Sequence, residues 1–252
     1  MPESERGGLP VVRRIAVLLT ALGPLAPSAP GAPAPAPPPA QTIPECVRLI
    51  QAGRFDEARG ILEPLVSAHP DWGRAQFTLG LTFHKEKRYG AARPYFERAL
   101  ALEPEYQPAH LFTAWCYYYL GELALAKTQF EAVRAADAAS AEAALGLGLI
   151  ALDGGETAGA TNRLEEAIRF ARAASDGETE YRAQTRLGDL LAQGDAPGAL
   201  DAAGTAYERA AALRPEAPEI WFKIARLRER QGNSSGAAEA RARLERLRTP
   251  AP

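Results

Sequence analysis

The sequence predicts an all-α fold, a solenoid of stacked antiparallel helix pairs, and three observations lead to that prediction. A small residue recurs at intervals of 34, at Ala58, Ala92, Ala126 and Ala160. A bulky apolar residue follows each of them four positions later, at Leu62, Phe96, Phe130 and Leu164. The composition, 46% hydrophobic and 24% charged over 252 residues, is that of an ordinary globular protein. A fixed period of this length is typical of helix–turn–helix arrays in which each unit packs on its neighbours, so we expect about five to six units.

The second unit of the array, residues 73–106, shows the physical basis of the pattern most clearly. Gly80 and Ala92 are small enough to let two helices of a hairpin approach closely, and Phe83 and Phe96 fill the space between them. Pro104 cannot continue a helix interior, so it separates this unit from the next.

This pattern resembles the tetratricopeptide repeat family. The resemblance is carried by seven positions of the second unit: Leu79, Gly80, Phe83, Ala92, Phe96, Ala99 and Pro104. It extends over about residues 44–248 and is specific for the fold. For function, it implies only that the protein binds peptides or proteins or builds assemblies, because one fold serves many functions.

We expect the array to occupy residues 44–250, and its units to span residues 39–72, 73–106, 107–140, 141–174, 181–217 and 218–250. The first helix of the array is predicted to be short and to begin near Pro44. After residue 174 the period slips, and the turn around residues 194–198 is longer. Leu187 and Ala203 are 16 positions apart, whereas the equivalent Leu79 and Ala92 are 13 apart.

The N-terminal segment is predicted to lie outside the fold. Arg13 and Arg14 precede a short apolar stretch that Gly23 and Pro24 interrupt, a pattern typical of a bacterial export signal, which we assign to residues 1–28. Residues 29–43 are rich in Pro and Ala and are expected to form a disordered linker. The protein is therefore expected to be periplasmic or secreted. The alternative is an uncleaved segment that anchors it to the inner membrane.

No residue set in the sequence predicts catalysis. His69, His84 and His110 are scattered without a partner at metal-ligand spacing, and the sequence lacks the common phosphate-binding, zinc-protease and serine-hydrolase motifs. Cys46 and Cys116 fall in units two repeats apart, too far for a disulfide, so both are expected to be free thiols. We therefore expect no enzyme activity, no cofactor and no metal.

The resemblance implies that the first helix of each unit lines a concave groove, chiefly through its positions 2, 5, 9, 12 and 13. On that basis, we assign ten candidate peptide-binding residues: Phe77, Leu81, His84, Lys85, Leu111, Trp115, Tyr118, Tyr119, Leu145 and Leu149. Relatives that clamp a C-terminal carboxylate carry Lys or Arg with Asn at positions 5 and 9, where this chain is apolar, so that activity is not expected. Two interpretations of the strip remain open: packing between helices, or an exposed apolar patch that binds a partner.

The last helix is dense in arginine, with Arg241, Arg243, Arg246 and Arg248. We favour a polar cap, since the terminal repeat of a solenoid meets water. An acidic partner and nucleic acid are the alternatives, although a net charge of −2 gives no general reason to expect nucleic acid.

The sequence thus predicts a non-enzymatic adaptor that binds a partner peptide or helix in an apolar groove. A homo-oligomer is compatible with it, and membrane contact is expected only through an uncleaved N-terminal segment. The alternative function is a structural subunit of an envelope or secreted assembly that stacks through its terminal repeats.

Overall fold

The computed structural model describes residues 42–194 and 196–249, and in this part of the chain it contains twelve helices and no strand. The helices are α1 (Thr42–Gln51), α2 (Phe55–Ala68), α3 (Gly73–Lys85), α4 (Tyr89–Leu102), α5 (Gln107–Tyr119), α6 (Leu123–Ala136), α7 (Ala141–Asp153), α8 (Thr157–Ala173), α9 (Gly177–Gln193), α10 (Ala199–Leu213), α11 (Pro218–Arg230) and α12 (Ser234–Arg248). Consecutive helices pack as six pairs, and each pair packs on the next. The prediction of an all-α repeat solenoid is therefore confirmed.

The N-terminal predictions fall almost entirely outside the described residues. The export signal of residues 1–28 lies outside them, as does the linker of residues 29–43 up to residue 41. The first helix begins at Thr42, two positions before the Pro44 start that we expected. Among the described helices, none is both long and apolar enough to cross a membrane.

The residues of the 34-residue period form the core of the array. The four alanines and the four bulky residues that follow them are all 0% exposed: Ala58, Ala92, Ala126, Ala160, Leu62, Phe96, Phe130 and Leu164. Each alanine and its bulky partner lie on the same helix face, since residues four apart are neighbours there. The core therefore continues from one unit to the next, as a solenoid requires.

Glycines on the first helices bring those helices close to a ring of a neighbouring second helix. A Cβ atom at Gly80 would lie 2.8 Å from a ring carbon of Phe96, and one at Gly188 would lie 2.5 Å from a ring carbon of Tyr207. A Cβ atom at Gly146 would lie 2.3 Å from the ring of Phe130, which belongs to the preceding unit. No real Cβ atom tolerates such distances, so these three contacts require glycine.

A hydrogen bond from a side chain to a proline carbonyl recurs at three joints between units. The donor is at position 4 of the first helix, and the acceptor is the proline six residues earlier. The pairs are Gln76 Nε2 with Pro70 O at 3.1 Å, His110 Nε2 with Pro104 O at 2.7 Å, and Trp221 Nε1 with Pro215 O at 2.9 Å. Proline thus ends one unit and also supplies the acceptor that binds it to the next.

The two remaining joints between units are built differently. Before α7 the side chain of Ser140 accepts a hydrogen bond from the backbone N–H of Ala143, and before α9 that of Asp176 accepts one from Thr179. These N-caps satisfy helix-end donors locally. Gln184 occupies position 4 of the fifth unit, but the residue six before it lies inside α9. Its buried side-chain amide has no partner among the described residues.

Both cysteines are buried free thiols, which confirms that Cys46 and Cys116 do not pair. Burial raises the pKa of the Cys116 thiol to about 12, so this thiol stays protonated at neutral pH.

Replacement of Ala92 or Ala126 by leucine should overpack the joint between helices. Both alanines are 0% exposed, so we expect each variant to lose on the order of 1–3 kcal/mol of unfolding free energy in chemical denaturation. Ala135→Leu, at an exposed position of α6, is the control and should change little. Unchanged stability in both core variants would contradict the register described above.

Candidate peptide-binding groove

The structure distributes the ten predicted groove residues between the core and the surface. Phe77, Trp115, Leu145 and Leu149 are buried. Lys85 and Tyr119 are exposed, and the others, Leu81, His84, Leu111 and Tyr118, are partly buried. For the four buried residues, the structure favours the packing interpretation that the sequence left open.

Phe77 is buried by rings from three neighbouring segments. Its ring centroid lies 5.4 Å from that of Phe96, 5.0 Å from that of Tyr106 and 5.6 Å from that of Phe112. Edge-on and tilted contacts at these distances are favourable aromatic packing. Phe77 therefore joins the second and third units and presents no free surface to a ligand.

Trp115 is covered from two sides. Its indole N–H donates a hydrogen bond to Glu142 Oε2 at 3.2 Å, and its ring stacks on Tyr119 with centroids 5.8 Å apart. The guanidinium of Arg182, from α9, lies 4.5 Å from the centroid of the indole. With 4% of its surface exposed, Trp115 is a core residue capped by a cation.

The aromatic packing continues from Trp115 toward the second unit. Tyr119 stacks on Tyr89 with centroids 4.3 Å apart, and His84 lies edge-on to Tyr89 and Phe112. Neither ring nitrogen of His84 has a hydrogen-bond partner among the residues that the structure describes. Burial, with smaller effects from Lys85 and Arg182, lowers the pKa of His84 to about 4. His84 is therefore a neutral packing residue at physiological pH.

The open part of the concave surface lies farther along the array, on α5, α7, α9 and α11. Two adjoining cavities, with volumes of about 330 and 590 Å³, share Arg186, Asp189, Glu219 and Lys223 as lining residues. We call these two cavities together the open groove. The predicted residues Tyr118, Tyr119, Leu145 and Leu149 line its first end.

Most of the open groove was missed in the sequence analysis. The same positions, 2, 5, 9, 12 and 13, counted in the fifth and sixth units give ten residues, and all of them except Glu229 line the groove: Arg182, Thr185, Asp189, Ala192, Gln193, Glu219, Phe222, Arg226 and Arg230. The signal was present, but the period slips after residue 174, and the rule was applied only to the units with a regular period. The groove is consequently richer in charge than the predicted apolar strip.

Tyrosine hydroxyls hold two of the carboxylates in the open groove. Tyr207 Oη donates to Asp189 at 2.8 Å, and Lys223 Nζ lies 2.5 Å from the same carboxylate. Tyr181 Oη donates to Glu219 at 2.9 Å. Burial and then this hydrogen bond raise the pKa of Tyr181 to about 12, so its hydroxyl remains a donor at neutral pH.

The open groove is lined by charged, aromatic and aliphatic side chains. Within residues 42–194 and 196–249, no cluster of three or more His, Cys, Asp or Glu side chains could hold a metal ion. The groove offers guanidinium groups, an ammonium group, carboxylates and two large exposed rings, those of Tyr119 and Phe222.

Family models described as tetratricopeptide repeat match residues 83–150 and, for a second model, residues 48–110 and 189–252. The chain belongs to the tetratricopeptide repeat family. This confirms the resemblance inferred from the sequence. A search of the curated proteins finds no match to the sequence.

Three solved structures show the same fold. A chain of the Cut9–Hcn1 hetero-tetramer of the APC/C is 16% identical with a TM-score of 0.70. The alignment covers 82% of this chain but only 39% of that one. PilF of Pseudomonas aeruginosa is 18% identical with a TM-score of 0.67 and coverages of 83% and 91%. PilW, a type IV pilus biogenesis factor, is 17% identical with a TM-score of 0.67 and coverages of 81% and 90%. Identities this low establish the fold alone. Family and fold together indicate a protein–protein interaction scaffold of a typically non-catalytic kind.

Trp115→Ala should destabilise the fold. Because the indole is buried between Tyr119, Glu142 and Arg182, we expect the unfolding free energy to fall by about 3–5 kcal/mol in chemical denaturation. Tyr119→Ala removes a ring that is 45% exposed and should cost less. If Trp115→Ala were as stable as the wild type, the packing role assigned to the indole would be wrong.

Stability should depend on pH through His84. Its pKa in the folded state, about 4, is below the ordinary 6.5, so the unfolded chain binds a proton that the folded chain excludes. This contribution is fully present above about pH 6.5 and is lost as the pH falls toward 4. His84→Phe keeps a ring without a titrating group, and its melting temperature should fall less over this range. If the melting temperatures of the wild type and His84→Phe fell equally over this pH range, the role assigned to His84 would be wrong.

Proposed function

We propose that this protein is a non-enzymatic adaptor that holds a segment of a partner protein, a peptide or a helix, in the open groove. The observation that carries the proposal is the pair of adjoining cavities, which the first helices of four successive units line together. A surface that is continuous over four units fits an extended segment better than a small molecule, since solenoids use such concave surfaces for binding.

Phe222 supports the proposal as an anchor point. This ring lies on α11 within the larger cavity and is 47% exposed. Large exposed rings in a concave setting are frequent energetic centres of protein interfaces. Trp115 was one of the ten candidate residues, but the burial of its indole moves the proposed contact toward the C-terminal units.

The alternative function, a structural subunit that stacks through its terminal repeats, receives less support. The outer surface of α12 carries the exposed charged residues Arg241, Glu245, Arg246 and Arg248. Such a surface is suited to contact with water, as expected for the cap of a solenoid, and not to burial against another repeat.

Site-specific photo-crosslinking in intact cells tests the adaptor function. A photoreactive phenylalanine analogue at Phe222 should capture a distinct partner, identified by mass spectrometry. The control position is Leu125 on α6, which is 49% exposed and lies outside the open groove, and it should not capture that partner. Capture from Leu125 only would place the interaction elsewhere. A stable oligomer in light scattering, with Phe222 linked to a second copy of the chain, would favour the structural subunit.

A further inference from the structure

We infer that the α9–α11 part of the open groove recognises an acidic segment of the partner, with an apolar side chain of that segment placed on Phe222. The inference rests on the proposed function, because it names the chemistry of the segment that the groove holds. It differs from the apolar groove that the sequence predicted, because this part of the groove is charged.

The lining of the open groove carries an excess of positive charge. Five cationic side chains line the open groove: Arg182, Arg186, Lys223, Arg226 and Arg230. Three carboxylates line it: Asp153, Asp189 and Glu219. The whole chain has a net charge of −2, so the groove has the opposite sign to the molecule. The local charge therefore attracts an acidic segment to this surface.

Two of the three carboxylates in the groove already accept hydrogen bonds. Asp189 accepts hydrogen bonds from Lys223 and Tyr207, and Glu219 accepts one from Tyr181. The closest approach of Arg186 to a carboxylate is 3.8 Å, to Asp189. The arginines of the groove are thus left with donors that these carboxylates do not use.

Arg226 and Arg230 lie close to each other on α11. They are four residues apart on α11, so they lie on one side of the helix about a turn from each other. Both are exposed, and neither forms an ion pair with any residue in the described part of the chain. One N–H group of Arg230 donates to the carbonyl of Ala192 on α9, which orients the guanidinium across the groove. A fixed guanidinium can bind a carboxylate through two parallel hydrogen bonds.

An apolar contact at Phe222 favours a peptide over a uniform polyanion such as nucleic acid. Phe222 lies about one helical turn from Arg226, whose guanidinium is 5.9 Å from the ring centroid, and about two turns from Arg230. A peptide can place an apolar side chain here and carboxylates on either side of it. Nucleic acid carries a phosphate at every nucleotide, and the fixed carboxylates of Asp189 and Glu219 would repel those that they face.

Calorimetric titration with defined peptides tests the inference. The first probe is a peptide of about twelve residues, long enough to span roughly 40 Å when extended, with glutamates on both sides of a central leucine. The second has glutamine at every glutamate position. The third is an oligouridine of about the same length. We expect the acidic peptide to bind at least about tenfold more tightly than the others, with an affinity that falls as salt is added.

Paired variants locate the binding site. Arg226→Glu with Arg230→Glu should weaken binding of the acidic peptide at least about tenfold. Arg209→Glu with Arg246→Glu makes the same change in net charge at exposed positions outside the groove and should weaken it less than about twofold. Arg226→Gln with Arg230→Gln, a milder change, should also weaken binding, and thermal melting checks that each variant folds.

Several results would overturn the inference. These are equal binding of the glutamine peptide, preference for oligouridine, an equal loss in the control pair, or no detectable binding of the acidic peptide. If Phe222 captures a partner in cells and any of these results is found, the groove function stands and only the acidic chemistry is wrong. If Phe222 captures no partner, the adaptor function itself fails.

Discussion

The structure depends on one repeated contact, a large ring of one helix packed directly against the backbone of another. Phe96 fills the space that Gly80 leaves, Tyr207 does so at Gly188, and Phe130 at Gly146. The contacts at Gly80 and Gly188 join the two helices of one unit, whereas the contact at Gly146 joins the fourth unit to the third. Packing of a ring on a glycine therefore fixes the helix pair within a unit and, at one joint, the approach of neighbouring units.

The concave side has two regions that differ in burial. On α3 and α5, Phe77 and Trp115 are buried, and Arg182 covers Trp115. On α9 and α11 the position equivalent to Trp115 carries Asp189 and Arg226, which are charged and line the open groove. Buried aromatic packing is thus concentrated toward the N-terminal units, and the proposed binding surface lies toward the C-terminal units.

The fold was predictable from the sequence because its determinants are local and periodic. Ala92 and Phe96 recur in phase, and their burial follows from helix geometry. The exposure of Trp115 was not predictable in this way. The guanidinium that covers it belongs to Arg182, which is 67 positions later in the chain, beyond a slip in the period. Phe222 and Arg226 could have been found by counting groove positions in the last two units. Whether such a side chain is exposed or paired depends on contacts between helices, which the spacing in the sequence does not show.

The five joints between the six units are of two kinds. At three joints a side chain from one unit is bound to the proline carbonyl of the unit before it, through Gln76, His110 and Trp221. At the joints before α7 and α9, Ser140 and Asp176 satisfy only their own helix ends. Other contacts bind the units there. Across the joint before α7, Trp115 donates to Glu142 and Phe130 packs on Gly146, and across the joint before α9, Arg172 pairs with Glu180. Since α5, α7 and α9 all line the first end of the open groove, these side-chain contacts, and not a hydrogen bond to proline, set the spacing of the helices there.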